Sequence, residues 1–226
     1  MSNCVEFDGY NDYVDCGVSD TLNIIDYLTI CVRIKTDNRA AQAANYIPLM
    51  ARGTGGTHGF EFGEYYDPAT GTHKMSFIKY AVLASVSNVL VPFNRPAHLA
   101  ITFNGTTGNQ KFYLDGDFKQ TIVSAGNIVS APAHTAYVGS REGASLSVNY
   151  YDGRIYEVQV YNREMTAEEI LKNNGYPNNP IRRGLQLNLT QDSIYGPQWN
   201  DLSGNANNGT YVGGAVPVSN NRLAGR

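Results

Sequence analysis

One stretch, residues 151–170, constrains the fold of this chain more than any other. After Asp152 and Gly153 it sets apolar Ile155, Val158 and Val160 against polar Gln159 and Arg163, and so reads as a long strand opened by a glycine turn. Thr166 then stands three residues before Glu169, the spacing of a capping box, and Gly175 follows. The spacing predicts a short helix over 167–174 that stops at the glycine.

Composition agrees with a chain of strands and turns. Charged residues make up 16% of the 226 residues, while glycine and tyrosine are plentiful, which points to an all-β domain rather than a helical one. A single β-sandwich of this length is common, so one domain is expected. The 17 basic and 20 acidic side chains leave a formal charge of −3 with no Lys/Arg cluster, which excludes the phosphate neutralisation that nucleic acid demands. Met1 to Glu6 show no basic segment followed by an apolar one, and nowhere do about 18 apolar residues run together. The expectation is therefore a chain without a signal peptide, made in the cytoplasm of its host, with no membrane insertion.

Further alternation supports the β reading. Leu28, Ile30, Val32 and Ile34 share one face of a strand, with Thr29, Cys31, Arg33 and Lys35 on the other. Val5 to Gly17 reads as two short strands about a turn rich in Gly, Asn and Asp. If those strands pair as a hairpin, Cys4 falls opposite Cys16 and a bridge is geometrically conceivable. With Cys31 the thiols number three and lack any C-x-x-C spacing, which opposes a disulfide framework and a zinc site. The glycine-rich 52–57 loop lacks the Gly-Lys-Ser/Thr end and the following helix of a phosphate cradle, and reads as a hairpin loop. Residues 98–105 and 111–118 are strands, the second ending in Asp115-Gly116, a type I′ turn pair.

These segments together resemble laminin G-like, concanavalin A-type modules. The family's closing strand and helix read approximately G-x-I-x-E-V-x-I-Y-N-R-A-L-S/T-x-E-E-I, close to residues 153–170 here. His98 to Gly105 and Tyr113 to Gly116 are similar to its H/W-x-A-x-T-x-D/N-G and Y-x-D-G segments, and Phe7 to Val14 to its opening F-D/N-G-x-x-D-Y-V. Arg33 departs from the pattern, standing where the family has an aromatic on a familiar binding surface. The resemblance covers roughly 5–174 and implies a two-sheet antiparallel jelly-roll sandwich with one short helix. Leu185 to Leu189 and Trp199 to Thr210 resemble segments that normally open the module, yet here they come last. The chain thus divides into a main body, 1–174, a linker, 175–184, and a transposed opening segment, 185–226. That segment completes the domain either in cis or in trans on a neighbouring copy. The run from Ser193 through Trp199 to Asn205 is similar to modules in structural proteins of tailed phages.

Catalysis, metal binding and glycan binding each make their own demands on the residues present. Jelly-roll glucanases need acids alternating on one strand, so that two carboxylates enter one cleft. Glu61 and Glu64 lie on opposite faces of their strand, and no other such motif occurs, so no catalytic residues are assigned and the chain is read as non-enzymatic. A calcium ion wants hard oxygen ligands. Asp8, Asn11, Asp12 and Asp15 cluster in the opening turn with Asp152 near the closing strand, and Asp8 and Asp12 are the candidate ligands; the plainer reading is that they satisfy turn backbone groups. Sugar binding wants an aromatic face beside amides or acids. Tyr65, Tyr66 and Tyr150, read as loop residues, with Glu64 and Asn149 supply those types, although most of the sixteen tyrosines serve ordinary strand packing. Two function classes follow. One is a virion structural protein, a capsid decoration or tail component whose partners are other virion proteins or copies of itself. The other is a soluble lectin for cell-surface glycans, with calcium as an optional cofactor.

Overall fold

A computed structural model describes residues 3–37, 45–54, 56–93, 95–144 and 149–218. Its strands are β1 (Cys4–Asp8), β2 (Tyr13–Asp15), β3 (Tyr27–Thr36), β4 (Tyr46–Arg52), β5 (Phe60–Asp67), β6 (Thr72–Lys79), β7 (Leu83–Leu90) and β8 (Ala97–Asn104). There follow β9 (Asn109–Leu114), β10 (Asp117–Val123), β11 (Ala136–Val138), β12 (Asp152–Tyr161), the helix α1 (Ala167–Gly175), β13 (Leu185–Tyr195), β14 (Gln198–Asp201), β15 (Gly209–Val212) and β16 (Val216–Val218). Every pairing between these strands is antiparallel.

The hydrogen-bonded path runs β10-β9-β8-β3-β12-β13-β14-β15-β2-β11-β4-β5-β6-β7, with β1 joining β12 and β16. It doubles back through β13, whose register shifts between Leu189 and Ile194 as the strand leaves β12 for β14. The two halves therefore lie face to face as a jelly-roll sandwich. Phe77 of β6 meets Phe103 of β8 at 5.9 Å between ring centroids. The alternating apolar residues of β3, namely Leu28, Ile30, Val32 and Ile34, fill the same core as Phe60, Phe62 and Met75. Trp199 is fully buried there, and its indole N–H donates to the Thr190 carbonyl at 2.8 Å.

The strand that dominated the sequence sits at the centre. β12 pairs with β3 along its whole length on one side, and with β1 then β13 on the other. Its apolar positions 155 and 158 are three apart, which plain alternation forbids; a register shift between Ile155 and Glu157 absorbs the extra residue, so both side chains reach the core.

The opening segment departs from the hairpin expectation. β1 joins β12 and β16, whereas β2 joins β11 and β15, so the two strands enter different halves of the sandwich and do not pair. Cys4, Cys16 and Cys31 are all buried free thiols, so the conceived Cys4–Cys16 bridge is absent. The 185–218 stretch runs beside β12, β2 and β1 of its own chain.

The helix is capped as the spacing predicts. Thr166 Oγ1 accepts from the Glu169 N–H, and the Glu169 carboxylate accepts from the Thr166 N–H. It covers the outer face of β3, β8 and β12, burying Ile170 and Met165 against Cys31, Ala100 and Tyr113. Arg33 belongs to this layer, donating to the Asn174 carbonyl at 2.8 Å and to Glu157 at 3.4 Å. The outer face on which Arg33 stands is roofed by α1. Among the described residues no helix is long and apolar enough to cross a membrane.

His98, paired with Arg33 across β3 and β8, is fully buried, and neither ring nitrogen has a hydrogen-bond partner. Burial, reinforced by Arg33, pushes its pKa down to about 3. From the ordinary histidine range down toward 3 the unfolded chain binds a proton that the folded chain refuses, so stability rises with pH across that window. Acidification from pH 6.5 to 4.5 should cost about 2–3 kcal/mol through this group. Thermal melts of His98→Phe should lose much less stability over the same interval than the unaltered protein; parallel pH profiles for the two would show that His98 is not buried neutral.

Candidate functional site

Strand alternation places a set of tyrosines on the outer face of the half formed by β2, β11, β4, β5 and β6. On β5, Phe60, Phe62 and Glu64 point inward, so Glu61 and Tyr65 point outward. Tyr13 of β2 alternates with core residue Val14, and Tyr137 of β11 with Ala136 and Val138, putting both on the same side. Tyr13 and Tyr137 meet edge to face at 5.5 Å, with Tyr150 at 6.4 Å from Tyr13. On the other flank Tyr46 and Tyr65, opposite one another across β4 and β5, have centroids 5.1 Å apart.

Between these two groups lies a polar centre. Arg141, reaching from the loop after β11, sets Nη1 3.2 Å from Glu61 Oε2 and donates from Nη2 to Asn149 Oδ1 at 2.8 Å. Tyr80 O–H donates to Glu61 Oε2 at 2.6 Å, and Asn149 Nδ2 to the Tyr46 carbonyl at 2.8 Å. Asn149 holds a left-handed backbone, φ +64°, which an asparagine tolerates better than most residues and which lets its amide bridge Arg141 to β4. Burial pushes the Glu61 carboxyl up, while Arg141 and Tyr80 draw it back. Burial also opposes the charge on Arg141, but Glu61 and Tyr80 together more than offset this and leave its pKa above the ordinary value. The phenols of Tyr13, Tyr46 and Tyr137 are raised by burial, so they remain hydrogen-bond donors at neutral pH.

Arg141 stands where two depressions meet. The smaller, about 130 Å³, is lined by Tyr13, Tyr137, Ser140, Glu142 and Tyr150; the larger, about 460 Å³, by Tyr46, Tyr80, Ile78, Val82 and Leu83. Stacking rings, an amide, a guanidinium and a carboxylate on one shallow face can hold a flat, polyhydroxylated ligand: the rings contact C–H groups and the polar centre meets hydroxyls.

Of the residues nominated from sequence, Tyr65, Asn149 and Tyr150 reach this face, while Glu64 and Tyr66 do not. Tyr65 and Tyr66 lie within β5, not in loops, and adjacent strand residues point to opposite sides. Glu64 is fully buried between the layers, where Thr36 O–H donates to it at 2.5 Å and His73 Nδ1 lies at 2.6 Å. Tyr66 turns inward beside His73, at 5.2 Å. Tyr13, Tyr46, Tyr137, Glu61 and Arg141 went unrecognised. The signal for Glu61 was present, since it shares parity with Tyr65; nothing local marks Arg141.

The acidic opening turn is a separate place. Asp8 Oδ1 accepts from the Tyr10 N–H at 2.8 Å. Asp12, nearly fully buried, accepts the Asp8 N–H on Oδ2 at 3.0 Å and the Gly214 N–H on Oδ1. Asp15 accepts from the Gly17 N–H, and Asp152 stands opposite Asp8 in the β1–β12 pairing. Asp8 and Asp12 share a cavity of about 320 Å³ with Glu6, Asp37 and the Arg154 guanidinium, which donates to Glu6 at 2.6 Å. Both Asp12 oxygens accept backbone N–H groups and a guanidinium lies nearby, so these carboxylates serve the turn itself. Among the described residues no group of three or more His, Cys, Asp or Glu side chains is arranged to hold a metal.

Comparison with known proteins agrees with this architecture. A family model described as the concanavalin A-like lectin/glucanases superfamily matches residues 8–171, and the chain belongs to that family. No curated protein sequence matches it. Among solved structures, a putative carbohydrate binding protein from Bacteroides ovatus superposes with a TM-score of 0.70 at 19% identity, over 97% of this chain and 60% of that one. A heptameric SAP-like pentraxin from Limulus polyphemus gives 0.61 at 17% identity, covering 76% and 82%. The CBM40 of the Ruminococcus gnavus IT-sialidase, bound to alpha2,3 sialyllactose, gives 0.54 at 16%, covering 75% and 95%. At these identities the likeness is one of fold.

The opening turn yields a direct check. Asp12→Ala removes the buried acceptor of the Gly214 and Asp8 N–H groups and should lower stability by about 1–2 kcal/mol, read by denaturant unfolding. The unaltered protein should melt at one temperature in calcium and in chelator; a rise in calcium that Asp12→Ala abolishes would establish the metal site instead.

Proposed function

We propose that this chain is a non-enzymatic, lectin-like module that binds glycans across the tyrosine-lined face. The observation that carries the reading is the convergence of Tyr13, Tyr137 and Tyr150 on one flank and Tyr46 and Tyr65 on the other, about the Arg141–Glu61–Asn149 centre. Aromatic rings with a polar handle give large contact area at low entropic cost. The fold neighbours named as a carbohydrate binding protein and as a sialyllactose-bound CBM40 support the class of ligand.

The absence of an enzymatic role rests on the state of the acids. Glycosidases bring two carboxyl groups to one bond, about 5–5.5 Å apart when retaining and roughly 6.5–9.5 Å when inverting. Glu61 is engaged by Arg141 and Tyr80, and Glu64 lies across the strand in the interior. A virion structural role, as capsid decoration or tail component touching other virion proteins or further copies of this chain, is the second reading. It is favoured by the phage-like run from Ser193 to Asn205, and a glycan-binding face suits such a particle as well as a free lectin.

The glycan reading is tested on a printed panel of defined oligosaccharides. Tyr46→Ala, Tyr137→Ala and Arg141→Ala should each weaken the best-bound member by about tenfold or more, the loss of roughly 1.4 kcal/mol. Their melting temperatures should stay close to that of the unaltered chain for the two partly exposed tyrosines. Absence of binding to every member, or binding that survives all three changes, would remove the proposal.

A further inference from the structure

Resting on the glycan reading, we propose that the face selects uncharged glycans and discriminates against those carrying a carboxylate, such as sialic or uronic acids. A sugar carboxylate is best captured by the paired N–H groups of an unengaged guanidinium. Arg141 offers that fork only in part: Nη1 is directed to Glu61 and Nη2 to Asn149. A second carboxylate would have to share the guanidinium with these partners and lie close to Glu61, with which it shares a sign.

The surroundings add to the exclusion. Glu142 lines the smaller depression, and Asp15 lies directly opposite Tyr137 in the β2–β11 pairing. Cations to balance them are few among the described residues. Lys79 belongs to the wall of the larger depression, but its ammonium is turned away onto the Ser124, Ala125 and Gly126 carbonyls at 2.8, 2.9 and 2.6 Å. His134 faces Glu142 at 2.7 Å, and Lys74 is paired with Asp67 at 2.9 Å. Among the described residues three carboxylates, Glu61, Glu142 and Asp15, thus share this face with one guanidinium. The larger depression is mostly apolar, lined by Tyr46, Ile78, Val82 and Leu83 beside Tyr80. It suits the C–H face of a neutral ring rather than an ionised group, whose desolvation would go uncompensated.

The test is a panel of matched pairs, each neutral oligosaccharide beside the same chain capped with sialic or glucuronic acid. It is read at about pH 8, above the ordinary histidine range. The best-bound neutral member should lose about tenfold in affinity on acid capping, and the ratio should shrink at high salt as the charges are screened. Glu142→Gln and Asp15→Asn should each shrink that ratio, and because both are partly exposed one at least will report on a folded protein. Acidic members bound as tightly as their neutral partners would overturn the inference while leaving the glycan reading intact. A ratio insensitive to salt and to both substitutions would show that exclusion is steric and overturn the electrostatic assignment. Failure to bind any member of the panel would sink the glycan reading itself, and this inference with it.

Discussion

The sandwich depends on β12 being held from both sides. Its pairing with β3 runs from Gly153 to Tyr161, while its other edge is shared between β1 near Ile155 and β13 near Val158. Three strands distant in sequence therefore converge on one, and each brings apolar residues to the same core. Removing any of them would expose unpaired backbone groups as well as apolar surface, a double cost that makes the arrangement cooperative. The irregularity near Tyr156 serves this role. Without it, Ile155 and Val158 could not both face inward, and the two edge partners would meet a strand whose side chains pointed the wrong way.

The two faces of the molecule solve different problems with the same residue types. Under α1, polar groups are consumed internally: Asn173 Nδ2 donates to Gln159 at 2.9 Å and to the Tyr161 hydroxyl at 2.7 Å, while Gln159 donates to Glu157. That network fixes the helix on the sheet and leaves little for a ligand. On the opposite outer face no helix among the described residues covers the tyrosines. There the Glu61–Arg141 pair sits at the floor, with Tyr13, Tyr46, Tyr65 and Tyr137 half-buried and Tyr150 buried around it. With Glu61 fully buried and Arg141 partly exposed, the pair loses much of its Coulombic gain to desolvation. Its more evident consequence is geometric, since it holds a guanidinium and an amide at fixed positions between two depressions.

Much of the fold was legible in the sequence because its determinants are local. Alternation on β3, the Asp115-Gly116 turn, and the Thr166/Glu169 box each express themselves within a few residues, and each is present as read. What failed was pairing. Phe7 to Tyr13 has the residues of a hairpin, yet β1 and β2 part into opposite halves because β16 and β15 take the edges they would have offered each other. No local pattern announces a partner about two hundred residues away. The candidate site divides the same way. Tyr65 could be read from β5, and parity alone would have exchanged Glu64 for Glu61. Arg141 and Tyr137 reach the face only because β11 lies between β2 and β4, a neighbour relation that spacing along the chain does not contain.

The same reasoning explains why the tail and the opening turn are inseparable. Gly209 packs so closely on Val14 that an added Cβ would lie 2.3 Å from its side chain, and at Gly213 one would lie 2.3 Å from the Asn11 carbonyl oxygen. These glycines let β15 and the following turn settle against β2, and Asp12 then accepts the Gly214 N–H that the turn directs inward. The acidic residue that looks like a metal ligand in the sequence is thus spent on joining two ends of the chain. Because Tyr13 follows Asp12 directly, and Tyr211 pairs with Val14, the orientation of β2 and of the tyrosine it presents on the outer face is set by that junction. A substitution at Asp12 would therefore act on the proposed binding face through the placement of Tyr13, at a distance from any ligand, and its effect on binding would follow its effect on stability rather than add to it.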